Sequence, residues 1–143
     1  MVKRVTTPLR REQLGDLRAG DQVLISGEIY TARDAAHKRL VELVEQGKPL
    51  PIDVKDQIIY YVGPCPAKEG EVIGSCGPTT SGRMDAYAPT LIRLGETGMI
   101  GKGERLPEVY AAMQEYGCVY FGATGGAGAL LASCVEKVEE IAY

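Results

Sequence analysis

The chain lacks the features of membrane and secreted proteins. No apolar run in its 143 residues approaches the ~20 residues that a membrane-spanning helix needs. Its opening residues, MVKRVTTPLRREQL, also lack the apolar centre of a signal peptide. We therefore expect a cytoplasmic protein.

Patterns typical of metal sites are missing as well. The cysteines show no CxxC spacing, and the single histidine, His37, lies far from all of them in the sequence. A free cysteine behaves as a small hydrophobic residue. We therefore predict that Cys65, Cys76, Cys118 and Cys134 are free thiols in a reducing compartment. We also expect no complete metal site within this chain.

An excess of charge of either sign is also lacking. Sixteen Lys and Arg against nineteen Asp and Glu give a net charge of -3, which provides no whole-surface field for nucleic acid or anionic lipid. What is present is an ordinary globular composition, 45% hydrophobic and 24% charged, without repeats or linkers. The length predicts one domain over residues 1–143.

Apolar patterns alternate between those of strands and those of helices. After a polar opening, short apolar runs predict strands at 22–26, 28–30, 58–62, 71–73, 97–100 and 118–121. Helical spacing and capping residues predict helices at 33–46, 81–93 and 107–116. Residues 129–134 can also form a helix, and 135–143 fit either a helix or a strand. This order predicts an α/β layered fold.

Four turns follow predicted strands and could bind an anion. Helix starts and glycine turns offer free backbone N–H groups, and such turns gather at one end of an α/β sheet. Arg33, Arg83 and Lys102 add positive charge, and an arginine can bind a carboxylate through two hydrogen bonds. The turns are 31–34 (TARD), 77–83 (GPTTSGR), 101–103 (GKG) and 122–128 (GATGGAG).

Each of these signals has a purely structural alternative. Arg33 and Arg83 could be solvated and paired with a neighbouring acid such as Asp34 or Asp85, and the glycine run after residue 122 could be a tight turn. Lys102 is harder to explain in this way, because its flanking glycines suit a close backbone approach.

Two further patterns need interpretation. His37 lies one helical turn after Arg33, on the same face, so it is either a core histidine or a candidate site residue. GPTTSGRM resembles the phosphate-loop pattern, but Arg83 replaces its lysine and Met84 replaces the hydroxyl that holds magnesium. We therefore do not expect a nucleotide triphosphatase.

The motifs TARDAAH (31–37), GPTTSGRMD (77–85) and GKG (101–103) closely resemble the β component of class I, iron–sulfur dependent fumarate hydratases. The related L-tartrate dehydratases share it, and the resemblance runs from residue 7 to 143. It implies a swivelling β/β/α domain similar to the mobile domain of aconitase. It also implies a separate α subunit that carries a [4Fe-4S] cluster on its own cysteines, so that the assembly is a hetero-oligomer, with a homodimer as the assembly considered for the isolated chain.

The resemblance implies reversible hydration of fumarate to (S)-malate by an assembly in which this chain alone is inactive. Thr79 and Lys102 would be catalytic, with Thr79 moving a proton and Lys102 or a partner carboxylate stabilising its ionised form. The positions implied to bind the dicarboxylate substrate are Arg33, Thr79, Thr80, Arg83 and Lys102.

The alternatives to this hypothesis are an L-tartrate dehydratase β subunit, a stand-alone dicarboxylate-binding module and a subunit that only covers its partner's cluster. Two departures from the family pattern bear on it. Cys76 stands where a lysine often precedes GPTT, and the chain ends at Tyr143, which predicts a shortened C-terminal segment.

Overall fold

Strands and helices alternate in the computed structural model, which describes residues 2–17, 22–32, 34–61 and 81–122. The strands are β1 (Val2–Thr6), β2 (Gln22–Ser26), β3 (Tyr30–Thr31), β4 (Ile58–Tyr60), β5 (Gly98–Gly101) and β6 (Val119–Gly122). The α-helices are α1 (Asp34–Glu45), α2 (Ala88–Arg93) and α3 (Pro107–Tyr116), and two 3-10 helices span Arg11–Asp16 and Ser81–Met84. The predicted α/β class is confirmed for the described residues.

All strand pairs within the described residues are parallel. β1 pairs with β2 in a two-stranded sheet, and β3, β4, β5 and β6 form a four-stranded sheet in chain order. Because parallel strands point the same way, their carboxyl ends lie at one end of the sheet. The register aligns Thr31 with Tyr60, Tyr60 with Ile100, and Gly101 with Gly122. We call this end, formed by Thr31, Tyr60, Gly101 and Gly122, the carboxyl rim.

The helices predicted at 33–46 and 107–116 are confirmed. α1 has Asp34 in its first turn, where a negative charge favours the helix dipole. α3 begins with Pro107 and ends before Gly117, whose φ of 81° suits a glycine and whose N–H donates to the Met113 carbonyl. Local signals at both ends were therefore enough to define these two helices.

The single helix predicted at 81–93 is wrong. The chain forms a 3-10 helix at Ser81–Met84, a turn at 85–87 and then α2. Pro89 has no N–H to donate to the preceding turn and lies in the first turn of α2, where no intrahelical donor is required. A continuous helix through 85–89 would lose that hydrogen bond.

The sequence analysis predicted no strand before residue 22, but Val2–Thr6 forms β1 against β2. Only Val5 of residues 3–6 is buried, so the apolar signal of this strand is a single residue. The pairing partner lies some twenty positions away, so the segment's own composition does not specify the strand. The predictions for 71–73 and for everything after residue 122 lie outside the described residues.

The four-stranded sheet packs on both faces. Successive strand residues point to opposite sides, so Ile58 joins Val5 and Leu9 beneath the two-stranded sheet, whereas Ile59 joins Leu91 and the helices. The same alternation separates Ile100 and Phe121 from Met99 and Tyr120. Both faces of the carboxyl rim are therefore supported by buried side chains. No helix in the described ranges has the length and apolar character to cross a bilayer.

Candidate functional site at the carboxyl rim

Two of the motif turns meet at the carboxyl rim. The Ser81 N–H donates to the Lys102 carbonyl oxygen at 2.9 Å, which joins the start of the Ser81–Met84 helix to the residue that follows β5. The turn that carries Arg83 therefore lies against the turn that carries Lys102.

Gly101 makes this contact possible. A Cβ atom built at this position would lie 2.1 Å from the Ser81 hydroxyl oxygen and 2.9 Å from Cδ2 of the Tyr61 ring. Any side chain would force the Ser81 turn away from β5, so the glycine before Lys102 is required by the close approach of the two segments.

The predicted cations divide between described and undescribed positions. Lys102 is half-buried and Arg83 is exposed, and the two project from neighbouring segments of the rim. β3 ends at the same rim, where the Ala32 N–H donates to the Tyr60 carbonyl oxygen at 3.1 Å. Arg33 comes next in the chain, and it lies outside the described residues together with Thr79 and Thr80. Their predicted roles stay predictions.

His37 lies in the core beneath the rim. It is fully buried on α1, and its ring meets the Tyr61 ring edge-to-face, with centroids 5.2 Å apart and planes at 77°. This geometry is that of a packed core side chain. Of the two interpretations drawn from its helical spacing, the structure favours the core histidine.

A buried ion pair that the sequence analysis missed lies directly under the motif turns. Arg105 Nε donates to Asp85 Oδ1 at 2.6 Å, and the Leu106 N–H donates to Asp85 Oδ2 at 2.9 Å. Asp85 therefore pairs with Arg105 and not with Arg83, and it ties the end of GPTTSGRMD to the start of α3. The only sequence signal was an acid at the end of a distinctive motif.

The Arg105 guanidinium also contacts two tyrosines. It donates to the Tyr61 hydroxyl at 3.1 Å and lies 5.0 Å and 5.1 Å from the ring centroids of Tyr61 and Tyr120. We call Tyr61, Asp85, Arg105 and Tyr120 the arginine–tyrosine cluster. Its charge and rings hold the strands, the Ser81 turn and the start of α3 together.

Arg105 and Tyr61 both keep their protons at neutral pH. Burial lowers the pKa of Arg105, but its interactions with Tyr61 and Asp85 outweigh this effect, so the pKa lies above the ordinary value. Burial raises the pKa of Tyr61 well above its ordinary value, so the phenol keeps its proton. Arg105 therefore stays charged beneath the rim, paired with Asp85, and Tyr61 is not a proton carrier.

The described residues do not fit an iron–sulfur cluster. Cys118 is buried, and burial raises the pKa of its thiol well above the ordinary value, which disfavours the thiolate that binds iron. Within the described ranges no three His, Cys, Asp or Glu side chains come together as a metal site. Cys65, Cys76 and Cys134 lie outside these ranges.

A polar cleft of about 530 Å³ lies away from the rim. Its lining includes Arg10, Arg11, Lys55 and Arg93, next to the segments that enter β4 and β5. Lys55 precedes β4 and Arg93 precedes β5, whereas Lys102 follows β5. The cleft therefore belongs to the opposite end of the sheet.

Comparison with known proteins decides the family. The family model described as Fumarase C-terminus matches residues 2–143. The chain belongs to this family. A provisionally named L(+)-tartrate dehydratase subunit beta from Methanocaldococcus jannaschii is 38% identical over 138 residues, which cover 94% of the chain and 71% of that protein.

Fumarate hydratases also match the chain. Fumarate hydratase 2 of Leishmania major is 40% identical over 135 residues, covering 93% of the chain and 24% of the relative. The anaerobic class I fumarate hydratase of Escherichia coli is 40% identical over 133 residues, covering 92% of the chain and 24% of the relative. The chain therefore spans about a quarter of these fumarate hydratases and corresponds to a C-terminal or β-type hydro-lyase domain.

Proposed function

We propose that the chain is the β component of a [4Fe-4S] hydro-lyase that interconverts fumarate and (S)-malate. In this proposal it acts as one swivelling β/β/α domain, similar to the mobile domain of aconitase. It holds the dicarboxylate against a cluster carried by a separate α subunit. The family membership and the tartrate dehydratase β relative, which is itself a subunit by name, support this assignment.

The observation that carries the proposal is the contact between the two cation-bearing turns. The 2.9 Å hydrogen bond from Ser81 to Lys102 joins the segments that present Arg83 and Lys102, and β3, which precedes Arg33 in the chain, ends at the same rim. Several positive groups at one rim suit a guest with two negative charges, because each carboxylate then meets a cation.

The chemistry proposed for this chain is binding, orientation and proton movement. Hydration adds a hydroxyl group to one carbon of the double bond and a proton to the other. Arg33, Arg83 and Thr80 would hold a carboxylate, and Thr79 Oγ1 would give or take the proton, with Lys102 stabilising its ionised form. The cluster of the α subunit would supply Lewis-acid chemistry at the hydroxyl-bearing carbon.

Reconstitution tests this proposal. The chain is produced alone and together with the cluster-bearing protein of its own organism under anaerobic conditions, and fumarate loss is followed by ultraviolet absorbance. We expect turnover only from the complex. Turnover by the chain alone would contradict the proposed division of labour.

A pair of arginine variants separates substrate binding from mere coverage of the cluster. Arg83→Met should lower kcat/KM by at least about 100-fold while the complex still assembles, because a charge that acts on the transition state is lost. Arg93→Met, an exposed arginine on α2, is the matched control and should leave kcat/KM unchanged. Equal activity of the two variants would favour a covering subunit.

Two alternative functions are also consistent with particular observations. The tartrate dehydratase β relative, 71% covered, favours L-tartrate as the substrate, and turnover of tartrate but not fumarate by the complex would establish it. The rim would also suit a stand-alone dicarboxylate-binding module, which predicts calorimetric binding of malate or fumarate to the isolated chain.

A further inference from the structure

Tyr120 links the two motif turns through its hydroxyl group. It lies on β6, with its side chain half-buried on the helix side of the sheet. Its hydroxyl donates to the Gly103 carbonyl oxygen at 2.8 Å and lies 2.7 Å from the Ser81 hydroxyl oxygen. A phenol has one proton, and the Gly103 carbonyl takes it, so Ser81 donates to Tyr120.

Two hydrogen bonds hold the backbone at Lys102 and at the residue after it. The Lys102 carbonyl oxygen accepts from the Ser81 N–H at 2.9 Å, and the next carbonyl, that of Gly103, accepts from Tyr120. Gly103 has a φ of 87°, a conformation that glycine adopts readily and does not fix by itself. The hydroxyl of Tyr120 therefore limits the positions open to Lys102.

The ring of Tyr120 is itself held in place. The Arg105 guanidinium lies 5.1 Å from its centroid, and Asp85 fixes that guanidinium by the 2.6 Å ion pair. Burial raises the pKa of Tyr120, so its hydroxyl keeps the proton that Gly103 accepts. The ring that links the two turns is therefore held in a fixed position.

We propose that Tyr120 is a positioning residue, whose hydroxyl sets the separation between Lys102 and the Ser81–Arg83 turn and so fits the rim to its dicarboxylate. This inference rests on the proposed function. Tyr120 does not contact the substrate and acts through Ser81 and Gly103.

The test is Tyr120→Phe, which keeps the ring and its contact with Arg105 and removes only the hydroxyl. Tyr110→Phe is the matched control, since Tyr110 also has a hydroxyl bonded to the Arg105 region, through the Arg105 N–H at 3.3 Å, but has no described contact with the rim. In the reconstituted complex, Tyr120→Phe should lower kcat/KM by about 10- to 100-fold, and Tyr110→Phe should leave it within about twofold.

A merely structural role is excluded by two further readouts. Both variants should have the same melting temperature within a few degrees. The loss in Ser81→Ala/Tyr120→Phe should equal that in Tyr120→Phe alone, because both changes break one link. Unchanged kcat/KM in Tyr120→Phe, or a double variant whose losses multiply, would overturn the positioning role while leaving the proposed function intact.

Hydrogen exchange of the full chain separates this inference from the proposed function. The Ser81 amide, which bonds to Lys102, should exchange faster in Tyr120→Phe than in Tyr110→Phe or the unsubstituted chain. Equal exchange in all three would overturn the link. If the unsubstituted complex turns over neither fumarate nor tartrate, the proposed function fails and the role of Tyr120 in fitting the rim to a dicarboxylate fails with it, whatever the exchange rates.

Discussion

Glu96 is a buried acid with an unusual environment. Both of its carboxyl oxygens are buried without a hydrogen-bond partner among the described residues. Burial raises the pKa of Glu96 well above its ordinary value, and the opposing attraction of Arg105 does not offset this effect. Burial therefore favours the neutral form of Glu96, because an isolated buried carboxylate is costly.

Glu96→Gln should change how stability depends on pH. The folded pKa lies above the unfolded value of about 4.3, so the folded state binds the proton more tightly. The stability due to this group is complete below the unfolded pKa and is lost as pH rises through the folded pKa, by up to about 1.4 kcal/mol per pH unit. The variant has no such loss.

Urea unfolding between pH 5 and 8 measures this effect. The free energy of unfolding of Glu96→Gln minus that of the unsubstituted chain should grow as pH rises. Glu104→Gln, at an exposed position, should give a flat difference. A flat difference for Glu96→Gln as well would mean that the folded state accommodates the carboxylate.

Arg105 and Arg83 should differ in how much their loss lowers the free energy of unfolding. Arg105→Met leaves Asp85 buried without its cation and should cost about 3–5 kcal/mol of unfolding free energy. Arg83→Met removes an exposed charge and should stay within about 0.5 kcal/mol. Urea unfolding checks both, and Asp85→Leu/Arg105→Met should recover most of the loss. A cost below about 1 kcal/mol for Arg105→Met would indicate that water reaches Asp85.

At the scale of elements, the contact between β5 and the Ser81 turn depends on the absence of a side chain at Gly101. Gly101→Ala should cost about 1–3 kcal/mol, because its Cβ would overlap the Ser81 hydroxyl and crowd Tyr61. Gly82→Ala meets no atom within 4 Å and should be nearly neutral. Ser81→Ala should rescue Gly101→Ala in part, since the 2.9 Å contact with Tyr61 remains. Thermal unfolding of Gly101→Ala, Gly82→Ala and the Ser81→Ala/Gly101→Ala double variant measures this, and equal costs at the two glycines would refute the close approach.

The elements that local signals specify were predictable from the sequence, and those that tertiary contacts specify were not. α3 carries Pro107 and Gly117 at its two ends, and its predicted bounds are the observed ones. β1 has one buried residue in 3–6 and exists because β2 pairs with it. The break before α2 depends on Pro89, whose missing N–H outweighs a regular apolar spacing.

At the scale of the whole molecule, Leu9 connects the two sheets. It is buried between them, its N–H donates to the Asp56 carbonyl, and its carbonyl accepts from Thr97. Leu9→Ala should cost about 2–5 kcal/mol, whereas Leu24→Ala, at a position 55% exposed, should cost less than about 0.5 kcal/mol.

Native-state hydrogen exchange shows where the cost of Leu9→Ala falls. Amides of β2, whose only described pairing partner is β1, should lose more protection than amides of β4 and β5. Uniform loss in both sheets would mean that the two-stranded sheet does not open separately.

The candidate site was predictable only as far as its turns. The order of strands and glycine turns predicted that the segments around Arg83 and Lys102 would gather at one end of a sheet, and the parallel register explains why. Arg105 could not be predicted, because it pairs with an acid 20 positions away. Tyr120 could not be predicted either, because its bonds join residues 39 and 17 positions away, and no local pattern encodes them.

A Cβ atom at position 101 would lie only 2.1 Å from the Ser81 hydroxyl oxygen, and this short distance also constrains which sequences the family can adopt. A larger residue at 101 is tolerable only where position 81 has already lost its hydroxyl and the ring at 61 has become smaller. Substitutions at 61, 81 and 101 should therefore covary among relatives, and smaller residues at 61 and 81 should be fixed before glycine is lost at 101.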